Sequence, residues 1–227
     1  MKFGTDGFRG RADESITPDF CLKLGFHTGT IIKNKGYDSI ILGKDTRVSG
    51  YMLEAALQAG FIAAGVNVRL LGPIPTPGVA YLTKTLRNKF GVVISASHND
   101  FLDNGIKIFA GDGFKLPDET EEQIEDLIFS NKMAALCPVA DEVGKASRID
   151  DAKGRYIVFL KNTFPSNYEL DDFHIVLDCA HGATYKVAPH VFEELGARVT
   201  TLGVNPDGKN INHECGALHP ELMAKKV

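Results

Sequence analysis

The segment from Gly91 to Asn99 (Gly-Val-Val-Ile-Ser-Ala-Ser-His-Asn) places two serines, a histidine and an asparagine directly after an apolar run. A hydroxyl at the end of a buried strand is held rigidly and faces a cleft, which suits a nucleophile. The alternative is a Ser/Asn-rich turn that satisfies its own backbone groups. A serine hydrolase is disfavoured, because the chain lacks a Gly-x-Ser-x-Gly elbow. In addition, the adjacent side chains of Ser97 and His98 do not readily form a nucleophile–base hydrogen bond.

Two cationic side chains lie in glycine-containing segments that can bring them to Ser97. Asn104-Gly105 is a hairpin-turn signal, which predicts that the next strand folds back and carries Lys107 towards the serine loop. A lysine can position a phosphate, or act as acid and base if its pKa is lowered. Near the N-terminus, glycines surround Arg9, and arginine is the best bidentate partner of a phosphate. A solvated lysine and a flexible N-terminal tail are the alternatives.

A fourth candidate segment is the polar loop from Gly43 to Gly50 (Gly-Lys-Asp-Thr-Arg-Val-Ser-Gly). It joins a predicted strand to a predicted helix, so it can offer amide donors and positive charge to an anion at the N-terminus of that helix. A capped turn without a ligand is equally compatible with these residues.

The elements that must position these segments alternate between short apolar runs and longer helical patterns. This alternation predicts α/β domains in which a mostly parallel, mixed sheet lies between helical layers. The predicted strands are 39–43, 67–71, 90–94, 105–109, 173–177 and 198–202. The predicted helices are 18–36 after a Thr17 N-cap, 51–64, a capped helix after the proline-rich loop 72–77, 118–131, 152–163 and 184–195.

A weakly patterned segment, 136–145, predicts a domain boundary near residue 150. The first domain, 1–150, carries the candidate serine, and a second α/β unit spans 151–227. Two strands bury little core, so the second unit is expected to be incomplete and the chain truncated.

Composition narrows the function classes. The 227 residues are 44% hydrophobic and 24% charged, with a net charge of -4, which is typical of a soluble globular protein and disfavours nucleic-acid and anionic-membrane binding. There is no apolar run of about 18 residues and no signal-peptide pattern at the N-terminus. The cysteines are scattered, which predicts reduced, buried thiols in a cytoplasmic protein rather than a metal site. They are Cys21, Cys137, Cys179 and Cys215.

Together these segments resemble the α-D-phosphohexomutase family across essentially the whole chain. The run Ser-Ala-Ser-His-Asn at 95–99 is similar to the family's phosphoserine loop, and Asp-Asn-Gly-Ile-Lys at 103–107 follows at the family's spacing. Gly-Thr-Asp-Gly-Phe-Arg-Gly at 4–10 resembles the bacterial branch that acts on glucosamine phosphates, whereas glucose and mannose enzymes more often show Tyr-Asp-x-Arg-Gly. Further similar segments are 43–50, 73–77 (Pro-Ile-Pro-Thr-Pro), 177–183 (Leu-Asp-Cys-Ala-His-Gly-Ala) and 205–212 (Asn-Pro-Asp-Gly-Lys-Asn-Ile-Asn).

The resemblance implies that Ser97 carries a phosphate, with Ser95 as a secondary candidate. It also implies roles for the surrounding side chains. His98 and Asn99 flank the phosphate; Lys107 is a candidate general acid and base, Arg9 contacts the phosphate, and Thr5, Asn99 and Arg47 bind phosphate or substrate. Asp100 departs from the family pattern, which usually has proline here, so this loop is expected to be less rigid.

The reaction implied by the resemblance interconverts glucosamine 6-phosphate and glucosamine 1-phosphate, for amino-sugar and cell-wall precursor synthesis. Ser97 phosphate passes to the sugar, and the resulting hexosamine 1,6-bisphosphate reorients and returns its other phosphate. Mg²⁺ is the implied cofactor, contacted through the phosphate on Ser97. The family's Asp-Gly-Asp-Gly-Asp-Arg metal loop does not occur in the 227 residues, so the chain alone is expected to lack mutase activity.

Two other functions fit the sequence: a mutase for glucose or mannose phosphates, and a non-catalytic half-protein that binds sugar phosphates. The expected partner is a small sugar phosphate, without nucleic acid or membrane, and a homo-oligomer is compatible with the sequence.

Overall fold

The computed structural model describes residues 3–4, 7–88, 90–129 and 141–227. Within those ranges the strands are β1 (Phe8–Arg11), β2 (Ser39–Lys44), β3 (Asn67–Pro73), β4 (Phe90–Ile94), β5 (Asp103–Ala110), β6 (Ala146–Arg148), β7 (His174–Asp178) and β8 (Arg198–Leu202). The helices are α1 (Pro18–Asn34), α2 (Val48–Ala63), α3 (Thr76–Thr85), α4 (Asp118–Phe129), α5 (Ala152–Asn162), α6 (Val187–Glu194) and α7 (Glu221–Ala224). In this part of the chain, no helix combines the length and apolar character needed to cross a bilayer.

The main sheet has the strand order β1-β5-β4-β2-β3-β6. The pairs β2–β3, β2–β4 and β3–β6 are parallel, whereas β5 runs antiparallel to both of its neighbours, β1 and β4. A second, two-stranded sheet pairs β7 with β8 in parallel. The predicted α/β class with a mostly parallel, mixed sheet is therefore confirmed.

Alternating side chains of the main sheet enter two apolar clusters, one on each face. Leu42 and Val92 belong to the cluster formed with α1, α2 and α4. Their chain neighbours Ile41 and Val93 belong to the cluster formed with α3, α5 and α6. The sheet is thus the middle layer of three, and its second face also packs against helices from the part of the chain beyond residue 150.

The first helix shows how closely local signals fix an element. Thr17 is the N-cap, and its side-chain oxygen accepts a hydrogen bond from the backbone N–H of Phe20 at 3.2 Å. Pro18 occupies the first turn, where its missing N–H needs no partner. α3 differs from the prediction, because Pro75 stands at its N-cap position and gives no side-chain hydrogen bond.

The predicted turn at Asn104-Gly105 is wrong. Both residues lie inside β5, where Asn104 pairs with Gly10 and Gly105 pairs with Arg9. The chain reverses earlier, between the end of β4 and Asp103, so the residues that carry the candidate chemistry form the turn themselves. Two strands were also missed: β1, interpreted as a possible tail, and β6, which follows the weakly patterned segment.

Candidate active site

Ser97 lies in the turn that follows β4, with its side chain exposed, whereas β4 itself is buried. Its backbone adopts a left-handed conformation, with φ of 57°. For a residue other than glycine this conformation costs about 1 kcal/mol or more and persists when surrounding contacts hold it. The Ser97 N–H donates to the Ser95 hydroxyl at 3.1 Å, which is one such contact.

Arg47 supplies the next contacts from the loop between β2 and α2. Its side chain is fully buried, and Nη1 forms an ion pair with the Asp45 carboxylate. Nη2 donates to the carbonyl oxygens of Ser97 at 3.3 Å and Asn99 at 2.7 Å, and Nε donates to that of Asp100 at 3.3 Å. Arg47 was predicted to bind phosphate or substrate. Its donors are directed to the carbonyl side of the loop, and this geometry supports a positioning role.

Asn212 reaches the same two carbonyl groups from the far end of the chain. Its Nδ2 lies 3.0 Å from the Ser97 oxygen and 2.9 Å from the Asn99 oxygen. In the sequence, segment 205–212 contributes to the family resemblance, but no role was predicted for Asn212. The side-chain amide of Asn212, at the end of this segment, is a hydrogen-bond donor that the sequence shows. Nothing in the neighbouring sequence indicates which backbone groups it contacts.

Arg9 lies in β1 directly opposite Gly105 of β5. Paired residues of antiparallel strands project to the same face. A Cβ built on Gly105 would lie 3.1 Å from the Arg9 Cγ and 2.9 Å from the Ser95 carbonyl oxygen. The Ser95 N–H in turn donates to the Gly105 oxygen at 2.9 Å. The Arg9 side chain therefore crosses over Gly105 beside Ser95, two residues before Ser97.

Lys107 lies two residues further along β5, opposite Val93 of β4, and is half-buried. Because strand side chains alternate, Lys107 projects to the same face as Gly105 and hence as Arg9. The structure brings these two predicted cations onto one face of neighbouring strands beside the strand that leads to Ser97. Thr5, also predicted to bind phosphate or substrate, lies outside the described residues.

The remaining predicted site residues follow Ser97 in the turn. His98 is exposed. The Asn99 side-chain amide donates to the Asp103 carboxylate at 2.9 Å. Asp100 is exposed, and its Oδ1 accepts the Leu102 N–H at 2.9 Å. In the absence of proline at position 100, the aspartate thus forms a side-chain-to-backbone turn that restrains the same stretch of loop.

The loop containing Arg47 also connects the serine region to the second half of the chain. The Thr46 hydroxyl donates to the His181 carbonyl oxygen at 2.6 Å, and the Val48 N–H donates to the Gly208 oxygen at 2.8 Å. Segments 43–50, 95–100, 178–182 and 205–212 are therefore joined by hydrogen bonds, although they are far apart in sequence.

A bound divalent cation would need several oxygen or nitrogen ligands. Among the residues that the structure describes, no group of three or more His, Cys, Asp or Glu side chains is arranged to hold a metal ion. Ser97 offers one exposed hydroxyl oxygen. The described residues do not, by themselves, fit a magnesium site.

The family model for the phosphoglucomutase/phosphomannomutase α/β/α domain I matches residues 1–135. The chain belongs to this family. The phosphoglucosamine mutase of Desulfotalea psychrophila is 63% identical over 227 residues, covering 99% of this chain and 50% of that protein. That of Syntrophus aciditrophicus is 59% identical over 227 residues, covering 99% and 51%. The chain spans about half the length of the curated relatives it matches.

A solved structure shows the same fold. The phosphoglucomutase/phosphomannomutase family protein of Burkholderia thailandensis superposes with a TM-score of 0.78 at 24% identity, covering 93% of this chain and 45% of that one. This likeness supports the three-layer arrangement of helices on both faces of the sheet.

Proposed function

We propose that this chain supplies the phosphoserine of a phosphoglucosamine mutase, with Ser97 as the residue that donates and recovers the phosphate. The observation that carries the proposal is the position of Ser97. It is an exposed serine in a fixed turn beyond a buried strand, beside the sheet face that carries Arg9 and Lys107. The high identity to relatives named phosphoglucosamine mutase supports the choice of sugar phosphate.

The chemistry follows from charge. A phosphoserine carries a charge of roughly -1.5 to -2 at neutral pH. Phosphoryl transfer moves the group through a loose transition state, so positioning and charge stabilisation dominate its catalysis. Arg9 and Lys107 are the cations proposed to offset this charge, and His98 is the neighbouring side chain proposed to contact the phosphate.

Each transfer exchanges one phosphorus–oxygen bond for another. The bond between phosphorus and the Ser97 oxygen breaks while the 1-oxygen of glucosamine 6-phosphate forms a new bond to phosphorus. The proton of the sugar hydroxyl must leave, and the serine oxygen must gain one. Lys107 is the candidate for moving this proton, in its neutral form as base and its charged form as acid. The second transfer runs in the opposite direction: the Ser97 oxygen loses its proton and bonds to the phosphorus of the 6-phosphate, while the bond from that phosphorus to the sugar 6-oxygen breaks and the 6-oxygen gains a proton.

We also propose that residues 1–150 form the serine-bearing domain and residues 151–227 contribute to the next domain. The sheet arrangement supports this division, because β6 pairs with β3 of the first sheet, whereas β7 and β8 form a sheet of their own.

The test is a chimaera in which this chain replaces the matched half of the Desulfotalea psychrophila phosphoglucosamine mutase. We expect the chimaera to convert glucosamine 6-phosphate, and Ser97→Ala to abolish conversion. Ser166→Ala is the control and should retain activity, because Ser166 is an exposed serine outside the turn that carries Ser97. Full activity of Ser97→Ala, or a chimaera that converts glucose 6-phosphate but not glucosamine 6-phosphate, would contradict the proposal.

A further inference from the structure

We propose that Asn212 is a positioning residue for phosphoryl transfer: together with Arg47 it forms a clamp on the Ser97 loop, so that transfer depends on contact between the two halves of the chain. The inference rests on the proposed function of Ser97. In the clamp, the Arg47 guanidinium and the Asn212 side-chain amide both donate hydrogen bonds to the same two carbonyl oxygens, those of Ser97 and Asn99.

The four hydrogen bonds of the clamp form a closed set. The Ser97 oxygen accepts from Arg47 Nη2 at 3.3 Å and from Asn212 Nδ2 at 3.0 Å. The Asn99 oxygen accepts from the same two nitrogens at 2.7 Å and 2.9 Å. A side-chain amide nitrogen has two hydrogens, so Asn212 can serve both carbonyl groups at once. Each carbonyl oxygen has two lone pairs, so both acceptors are fully used.

The clamp fixes the direction of two peptide groups. In a trans peptide the C=O and the following N–H point in opposite directions, and the described residues contain no cis peptide bond. Drawing the Ser97 and Asn99 oxygens into the clamp therefore turns the N–H groups of His98 and Asp100 to the opposite side of the loop. If the clamp loosened, the His98 and Asp100 N–H groups could change direction, and the left-handed backbone of Ser97 could relax at the same time.

Asn212 can act in this way because its own position is tied to both halves. Its backbone N–H donates to the Ala180 oxygen at 2.9 Å, and its φ is 61°, a region that asparagine tolerates better than most residues. Upstream in the same segment, Gly208 accepts the Val48 N–H at 2.8 Å. A shift of the second half relative to the first would thus be transmitted to the Ser97 loop through Asn212.

Three variants in the chimaera separate positioning from general stability. Asn212→Gly keeps the left-handed backbone but removes the donors. Asn212→Asp keeps the shape but replaces the donors with oxygens that face two carbonyl oxygens. Asn210→Ala is the matched control, because the Asn210 side chain bonds only within its own segment, to Asn205 and Asp207 among the described contacts.

We expect both Asn212 variants to lower kcat by about tenfold or more, because small misplacement of a reacting group is costly. The KM for glucosamine 6-phosphate should change by less than about twofold, since Asn212 bonds to the Ser97 loop, and misplacing the reacting group lowers kcat and kcat/KM together. Asn210→Ala should leave both constants near wild type. A loss in kcat that is equal for Asn210→Ala and Asn212→Gly, or no loss in either Asn212 variant, would overturn the inference.

A second measurement does not depend on activity. In the 227-residue chain, amide hydrogen exchange of residues 95–100 should accelerate in Asn212→Gly but not in Asn210→Ala; unchanged exchange in this loop would overturn the clamp. An active wild-type chimaera with unaffected Asn212 variants overturns the inference alone. An inactive wild-type chimaera overturns the proposed function and the inference with it.

Discussion

Arg47 donates a hydrogen bond from Nη2 to the carbonyl oxygen of Ser97 at 3.3 Å, from a side chain that is fully buried. This buried guanidinium therefore lies on the carbonyl side of the serine loop. Its ion pair with Asp45 compensates the buried charge, and its other donors hold the turn. This relationship makes Arg47 part of the scaffold that presents Ser97.

Arg47→Ala should lower the free energy of unfolding of the chain by about 3–5 kcal/mol, because it leaves the buried Asp45 carboxylate without its partner. Urea unfolding at pH 7 measures this. Arg11→Ala is the control, since its ion pair with Asp13 is exposed and should change stability little. Equal stability of Arg47→Ala and wild type would contradict the structural role of Arg47.

Gly105→Ala should destabilise the chain by about 1–3 kcal/mol, because the new methyl group has no room. It would lie 2.9 Å from the carbonyl oxygens of Phe8 and Ser95 and 3.1 Å from the Arg9 Cγ. Gly154→Ala in α5 is the matched control: apart from the adjoining backbone of its own helix, no heavy atom lies within 4 Å of its added Cβ. Alanine there should stabilise by about 0.5–1 kcal/mol. Similar unfolding midpoints for the two variants would contradict the close packing of Phe8, Ser95 and Arg9 around Gly105.

His27 is expected to make the free energy of unfolding of the chain depend on pH under acidic conditions. Burial in α1, with a smaller contribution from the Lys23 ammonium, lowers the pKa of His27 below its ordinary value. The unfolded imidazole, with a pKa of about 6.5, then binds a proton before the folded one does. Stability should therefore fall as pH decreases below about 6.5 and continue to fall down to the lowered pKa of the folded state.

The measurement is urea unfolding of wild type and His27→Leu between pH 7.5 and about 5. His27→Leu should lose less stability over this range than wild type. His219→Gln, which changes an exposed histidine, serves as the control. Parallel curves for wild type and His27→Leu would show that His27 does not contribute to the acid dependence.

Cys21 should resist alkylation in the folded chain. Burial raises the pKa of this thiol to about 12, so very little of the reactive thiolate exists at pH 8. Burial also raises the pKa of Cys179 and Cys215. Peptide mass analysis after brief iodoacetamide treatment should find Cys21 unlabelled in buffer and labelled in urea. Rapid labelling of Cys21 in buffer would show that its helix packs differently.

Local sequence signals predicted those helices and strands whose ends are set by residues at or next to the ends themselves. Thr17 and Pro18 predicted the start of α1, and the apolar run 90–94 predicted β4. The Asn104-Gly105 signal failed because tertiary contacts override it: Asn104 is buried and donates to the Ser49 hydroxyl at 2.9 Å. The pair therefore continues the strand instead of turning.

The candidate site was predictable in its residue types but only partly in its geometry. A strand followed by polar residues is a local pattern and indicated segment 95–99, whereas the choice of Ser97 within it rests on the family resemblance. The buried position of Arg47 could not be predicted, because a side chain in a polar loop can face either solvent or the protein interior. Asn212 lies more than a hundred positions from the loop it contacts, and only the folded chain shows that contact.

The most direct test of the central claim is the location of the transferable phosphate. The chimaera is incubated with glucosamine 1,6-bisphosphate, analysed by intact mass and peptide mapping, and then chased with glucosamine 6-phosphate. We predict one phosphate on Ser97 that the chase removes, and no phosphate in Ser97→Ala. A chase-sensitive phosphate on another residue, or turnover by a chimaera that never carries phosphate on Ser97, would contradict the account.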